Sequence, residues 1–276
     1  MNMEKKNYSD WLVVSDIDGT LLNKIRKIPE ANKKAVNRFV HELSGNFTLG
    51  SARNVQSLST HYKNLPGLTT PAIVMNGAGI YDFEKIEMIW FNAIPDSGAE
   101  VVRKCLEKFR FLEVSIFTDD MIYLIRPRIA SPIMMWLDKL RHKKVKTVDE
   151  VPKGRWGKVV FFCLPWQRKE VRRFADSVSD ENVGYIDTTI ASFDLVNKTT
   201  NKGTAVAALA EILGINEDKI GVIGDYYNDW DMLSSVKHSA CPKQAPQDIH
   251  ELCEFHACHC NDGAVADFLS YIENTY

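Results

Sequence analysis

Four short apolar runs along the chain share one feature: each stops at a small polar or acidic residue. WLVVSD stops at Asp16, NFTLGS at Ser51, PAIVMNG at Asn76 and KIGVIGD at Asp225. Continuous apolar runs of this length read as parallel strands buried on both faces, since one-sided strands alternate instead. Helical periods lie between them. Residues 29–43 place Ala31, Ala35, Val36, Phe39, Val40 and Leu43 on one face, with Pro29 suited to the first turn. Residues 202–213 (KGTAVAALAEIL) repeat the pattern. Strands alternating with helices predict an α/β domain with a doubly wound parallel sheet. In such sheets ligands bind outside the carboxyl ends of the strands. Asp16 with Asp18, Ser51, Asn76 and Asp225 are therefore expected at one edge, although they are far apart in the chain.

The middle of the chain follows a different pattern. Residues 97–109 read as a helix, and FLEVSIF and MIYLIR alternate around Thr118-Asp119-Asp120 as a hairpin. A helix near 131–142, a strand at 157–164, a helix at 166–178 and a second hairpin near 183–197 follow. This is an α+β module inserted into the α/β domain. The expected division is a core over 1–92 and 191–276, with the insertion at 93–190.

Composition narrows the class without changing the fold. Apolar residues make up 45% and charged residues 25% of the 276, and the formal net charge is −2. That balance leaves no basic footprint for nucleic acid. The longest apolar run near the N-terminus, WLVV, is too short for a signal peptide or a membrane span, so a cytoplasmic protein with no membrane partner is expected. The six cysteines are then expected as reduced thiols.

The polar strand ends suggest a chemistry. Asp16 and Asp18 sit two apart after a strand and ahead of Gly19, which permits a tight turn, so both carboxylates can face one pocket. One can act as a nucleophile while the other exchanges protons with a leaving group. Paired carboxylates also attract Mg²⁺, with Asp225 completing the set. Lys202 at a helix start and the Ser51 hydroxyl suit a phosphoryl group.

With these residues in place, the sequence resembles the haloacid dehalogenase superfamily of phosphatases, in its Cof-like branch with the large cap. Asp16-Ile17-Asp18-Gly19-Thr20-Leu21-Leu22 looks like the first motif of that superfamily. Ser51-Ala52-Arg53 falls where the branch has Thr-Gly-Arg, and Asn76-Gly77-Ala78 matches its Asn-Gly-Ala turn. Lys202-Gly203 looks like the third motif, and the stretch from Gly224 to Leu233 resembles GDxxNDxxML. The resemblance implies a Rossmann-like α/β core with an inserted α+β cap, and Mg²⁺-dependent hydrolysis of a small phosphorylated metabolite, sugar phosphates foremost. It implies Asp16 as nucleophile and Asp18 as proton donor and then base. Mg²⁺ would be held by Asp16, the Asp18 carbonyl and Asp225, with Asp229 supporting that shell. Ser51, Ala52, Arg53, Asn76, Lys202 and Asn228 are the phosphate- or substrate-binding candidates. Ala52 departs from the usual glycine, and Cys241-Pro242-Lys243-Gln244-Ala245 stands where many relatives have Met-Gly-Asn-Ala.

Plainer readings stand beside these. Asn76 either binds ligand or shapes its own turn, and Arg53 is similar. Asp231 reads as charge in a first helical turn, and Arg126 and Arg128 as surface residues. His250, Cys253, His256, Cys258, His259 and Cys260 lack the paired spacing of zinc sites. FHACHC reads instead as a strand, with His256, Cys258 and Cys260 on one face. Two rival functions remain: a phosphomutase of the same superfamily, and a catalytically silent metabolite-binding protein. The retention of Asp16, Asp18, Lys202 and Asp225 together speaks against the second.

Overall fold

The computed structural model describes residues 6–65 and 67–276. Residues 1–5, which open the core segment expected over 1–92, and Pro66 lie outside the described residues. Along the chain the first strands and helices are β1 (Leu12–Ser15), α1 (Glu30–Asn37), β2 (Asn46–Leu49), α2 (Val55–Lys63), β3 (Ala72–Val74), β4 (Gly79–Asp82) and β5 (Glu87–Phe91). The middle follows with α3 (Asp96–Lys108), β6 (Glu113–Thr118), β7 (Ile122–Ile125), α4 (Ala130–Leu137) and β8 (His142–Val145). It ends with β9 (Trp156–Phe162), α5 (Arg168–Val178), β10 (Val183–Thr189) and β11 (Ser192–Asn197). The last part holds α6 (Lys202–Leu213), β12 (Ile220–Ile223), α7 (Trp230–Ser234), β13 (His238–Pro242), α8 (Gln247–Leu252), β14 (Phe255–Ala257) and α9 (Ala264–Thr275).

These elements form two units, one of residues up to 53 with 58–90 and 201–276, the other of 54–57 with 91–200. The second unit ends at Thr200, ten residues past the expected border at 190. The reason is register: a border at 190 would cut the β10–β11 hairpin, and β11 also pairs with β9 from Ser192↔Phe162 to Leu195↔Val159.

The first unit holds a sheet in the order β14-β13-β12-β1-β2, parallel throughout. A parallel bridge from Gly50 to Ile73 continues it towards β3, which pairs with β4 as an antiparallel hairpin. The chain thus runs outward from β1 through β2 to β3, then restarts at β12 on the other side of β1 and runs outward to β14. Strand order reverses between β1 and β12, and such a switch point is where open α/β sheets bind ligands. Both faces are covered. Leu12, Val14, Ile220 and Val222 pack with Ala205, Val206 and Leu209 of α6 and with Met232 and Leu233 of α7. Gly221 points the opposite way, where a Cβ would meet Ile272 and Phe268 of α9. Strands buried on both faces explain why these runs are apolar without alternation. The helix expected over 29–43 is present but changes form, α to Asn37 and then a π-turn over Arg38–Glu42.

The second unit is a sheet in the order β10-β11-β9-β6-β7-β8, antiparallel except for β7 with β8. The helix expected near 131–142 stops at Leu137, and β8 occupies 142–145 instead. The sequence HKKV has three exposed residues and one buried, a lysine-rich edge strand that no apolar pattern announces. Among the described residues no helix is long and apolar enough to cross a membrane.

Candidate active site

Asp16 directly follows β1, and its backbone N–H donates to Ile223 at the end of β12 (2.9 Å). The site therefore begins at the switch point itself. Thr20, Leu21 and Leu22 fold back on Ile17 and Asp16 through backbone hydrogen bonds, so the chain turns sharply past Asp18. Gly19 makes that turn possible: its φ is +89°, and a Cβ there would lie 2.2 Å from Asp225 Oδ2. Gly19 is thus demanded by the close approach of a second strand-end carboxylate.

Lys202 opens α6, whose N-cap Asn201 accepts from the Thr204 N–H at 2.7 Å. The lysine is fully buried, and its Nζ donates to Asp16 Oδ1 and to Asp229 Oδ1, each at 2.5 Å. Asp229 spends its other oxygen on the backbone N–H groups of Asp225 (3.1 Å) and Tyr226 (3.4 Å). It thereby fixes the loop that carries Asp225. Gly224 must lack a side chain, because a Cβ would stand 2.6 Å from Asp229.

Oxygens of Asp16, Asp225 and Asp229 lie within 4.8 Å of one another. Two buried carboxylates on one ammonium, with the half-buried Asp225 beside them, leave excess negative charge with little water to offset it. Burial, then repulsion from Asp229, holds the Asp16 carboxyl well above the ordinary range against the pull of Lys202. The same causes push Asp225 up to about 7. For Lys202 burial works downward, but attraction to Asp16 and Asp229 outweighs it and the ammonium is held charged. A hard divalent cation fits this donor set, since it takes oxygen ligands and supplies the missing positive charge.

Asp18 is placed differently from the expectation that both carboxylates share one pocket. Its side chain is half exposed and faces Arg53, with Nε to Oδ2 at 3.0 Å and Nη2 to Oδ1 at 2.8 Å. Arg26 lies 3.6 Å from Oδ1. Burial tends to raise the Asp18 carboxyl, but the Arg53 hydrogen bonds and charge overcome it and hold it low. The carboxylate of Asp18 is not among the three clustered acids. β1 ends at Ser15, so strand alternation no longer governs the two residues.

The remaining expected residues come from adjoining loops. Ser51 is buried, and its hydroxyl accepts from the Arg53 N–H at 3.2 Å. Its carbonyl accepts from Asn76 N–H (2.9 Å), while the Arg53 carbonyl accepts from Met75 N–H (2.8 Å). Met75 and Asn76 are both left-handed, with φ of 53° and 58°. Gly77 then lets this turn touch the chain before Lys202, since a Cβ would lie 2.1 Å from the Asn201 carbonyl. The loops bearing Ser51, Ala52 and Arg53, Asn76, and Lys202 are thus packed together. Asn76 Oδ1 is buried with no hydrogen-bond partner. Asn228 is exposed, and its amide only grazes Asp229 Oδ1 at 3.5 Å.

One contributor escaped the sequence reading. Gln244, in the stretch that departs from the relatives, donates from Nε2 to the Gly19 carbonyl (2.6 Å) and accepts from Cys260 N–H (3.1 Å). It ties the Asp18–Gly19 turn to the end of β13. The available signal was its place two residues past another strand end. A cleft of about 270 Å³ opens here, lined by Asp18, Gly19, Arg26, Asp225 and Gln244 among others.

The sequence family described as haloacid dehalogenase-like hydrolase matches residues 13–269. A putative phosphatase of Mycoplasma genitalium is 24% identical over 246 residues, 85% of this chain and 86% of that protein. A Thermotoga maritima crystal structure superposes with a TM-score of 0.84 at 21% identity, covering 95% of this chain and 97% of that one. A sugar phosphatase of haloacid dehalogenase subclass IIB superposes with a TM-score of 0.76 at 19% identity, over 95% of this chain and 99% of that one.

Proposed function

Because the chain belongs to the haloacid dehalogenase-like hydrolases, we propose that it is a Mg²⁺-dependent phosphatase of small phosphorylated metabolites, sugar phosphates first among them, acting through an aspartyl phosphate on Asp16. The observation that carries this reading is the charge imbalance at the switch point: the buried Asp16 and Asp229 share Lys202, and the half-buried Asp225 crowds against both. A protein gains nothing in stability from such an arrangement unless a cation and an anionic ligand complete it. The putative phosphatase among the relatives and the sugar phosphatase among the structures support the reaction class and the substrate bet.

Asp16, Asp225 and the Asp18 carbonyl would hold Mg²⁺, with Asp229 orienting the Asp225 loop. The ion supplies positive charge against the phosphoryl oxygens when bound. Lys202 directs the Asp16 oxygen and, together with the bound ion, favours its ionised form. That oxygen attacks phosphorus, the bond from phosphorus to the leaving alcohol breaks, and Asp18, freed from Arg53 and having taken a proton from solvent, gives that proton to the departing oxygen. Asp18, now a carboxylate, takes a proton from water, and that water releases inorganic phosphate and restores Asp16. Ser51 and the neighbouring backbone hold the phosphoryl group. Arg53 occupies both oxygens of Asp18, so proton transfer requires that ion pair to open. An arriving phosphate competes for the guanidinium and opens it.

The test is phosphate release from a panel of sugar phosphates, nucleotides and p-nitrophenyl phosphate, with Mg²⁺ and with EDTA, beside Asp16→Asn. Release is expected with Mg²⁺ alone, and the variant is expected to lose at least about 10³-fold in kcat. Turnover that survives in Asp16→Asn would overturn the covalent route. Isomerisation of a monophosphate without net phosphate release, on adding a bisphosphate primer, would point to the mutase instead.

A further inference from the structure

Away from the carboxylates, the structure joins Cys241 to two histidines, His250 and His256, that lie 9 and 15 residues further along the chain. The strand expected over FHACHC is only three residues long, Phe255–Ala257, so Cys258 and Cys260 leave its face. His256 remains on it and pairs in register with Cys241 of β13. α8 brings His250 to the same place, with Nδ1 3.4 Å from Cys241 Sγ. The two imidazoles meet edge to face, with centroids 4.8 Å apart. The Cys241 sulfur and a ring nitrogen from each histidine lie within 4.8 Å of one another. Cys241 is fully buried and free of any disulfide, His250 half-buried and His256 exposed, so the cluster opens to solvent on one side.

The imidazoles are oriented from behind. His250 Nε2 faces the Lys243 carbonyl at 3.2 Å, and His256 Nε2 faces the His250 carbonyl at 2.9 Å. A carbonyl only accepts, so each neutral ring carries its proton on Nε2 and leaves Nδ1 as the acceptor, which in His250 faces the Cys241 thiol. Metal-ligating histidines are held in this way, with the second nitrogen donating to a carbonyl or carboxylate. The spacing also fits. Zn–S near 2.3 Å and Zn–N near 2.0 Å at a tetrahedral angle put sulfur and nitrogen about 3.5 Å apart, against the 3.4 Å found here.

We propose that Cys241, His250 and His256 form a second metal site, taking Zn²⁺ through one thiolate and two imidazoles, with a fourth position open to water. Binding displaces the Cys241 thiol proton to solvent. A sulfur and nitrogen donor set selects Zn²⁺, whereas the oxygen-only carboxylate centre suits Mg²⁺, so the two sites do not compete for one ion. The ion is structural. It joins Cys241 to His250, the two ends of the segment that carries Gln244, and so steadies the contact from Gln244 to the Gly19 carbonyl.

The test uses the full chain in excess Mg²⁺, titrated with Zn²⁺ by calorimetry and with Co²⁺ by absorption spectroscopy. One equivalent of each is expected to bind, and Co²⁺ is expected to give a thiolate charge-transfer band that a carboxylate site cannot produce. His256→Gln changes an exposed side chain and is expected to weaken Zn²⁺ binding at least about tenfold. Cys241→Ser is expected to abolish the band. If that buried variant does not fold, His256→Gln alone decides. No thiolate band, or Zn²⁺ affinity unchanged in His256→Gln, overturns the site and leaves ordinary hydrogen bonds between thiol and imidazole.

Discussion

Both units of the protein bury carboxylates, but they treat them in opposite ways. In the second unit Glu113 is 7% exposed and accepts from the backbone N–H groups of Arg128, Ile129, Ala130 and Ser131 and from the Ser131 hydroxyl. Burial alone would raise its carboxyl, yet these donors pull it below the ordinary range. Every lone pair is answered, and the start of α4 is fastened to β6. In the first unit Asp16 and Asp225 are raised, because burial is compounded by Asp229; Lys202 alone opposes this at Asp16, and Lys202 with one backbone hydrogen bond at Asp225. A satisfied buried acid holds structure together. A crowded and underpaid one marks a place where ligands are meant to complete the charge.

The sharpest way to break this comparison is to remove the single cation from the crowded site. Lys202→Met leaves Asp16 and Asp229 without their shared ammonium. Metal-free protein is expected to lose about 3 kcal/mol of stability, measured by urea unfolding in EDTA. Phosphate release with saturating Mg²⁺ is expected to fall by at least about 10²-fold. A variant as stable and as active as the parent would mean that the cluster is not electrostatically strained.

Glu113→Ala tests the other half. It strands the four backbone donors at the start of α4, at a cost of about 2–3 kcal/mol. Activity per folded molecule is expected to stay near that of the parent, because Glu113 takes no part in the carboxylate centre. Urea unfolding and an active-fraction-corrected rate check both statements. A fall in kcat with unchanged stability would reverse the assignment of roles between the two units.

The sequence made part of this contrast visible in advance. Short apolar strands that end in Asp16, Ser51, Asn76 and Asp225 announced a parallel sheet and its carboxyl edge, because burial on both faces removes alternation and the edge collects polar residues. The first, third and fourth motifs brought Asp16, Lys202 and Asp229 together, as found. What stayed hidden depends on contacts distant in the chain. The pairing of Asp18 with Arg53 follows from a turn beyond the strand end, where period two no longer applies. Gln244 reaches Gly19 across 225 positions. β8 hid because an exposed lysine-rich edge carries no apolar pattern, and Cys241 met His256 through β13–β14 register and His250 through α8.

The smallest expected effect separates the two kinds of buried acid by pH. In the metal-free protein, Asp225 keeps its proton up to about 7, whereas an unfolded aspartate releases it near pH 4. The folded state therefore binds more protons than the unfolded state between those values. Its raised carboxyls stabilise it fully below about pH 4, and that contribution is lost as pH rises through about 7. Asp16 is raised in the same direction and adds to the loss. Glu113, held low, works the opposite way, adding stability above the ordinary glutamate value and losing it only in acid. In EDTA the melting temperature is expected to fall between pH 5 and pH 8 by a few °C, corresponding to about 1–2 kcal/mol. Mg²⁺ replaces the displaced protons, so its stabilising effect is expected to be larger at pH 8 than at pH 5. Thermal melts at both pH values, with Mg²⁺ and with EDTA, measure the difference. Equal Mg²⁺ stabilisation at the two values would mean that protons and metal do not compete at Asp16 and Asp225, and the contrast between crowded and satisfied acids would lose its electrostatic basis.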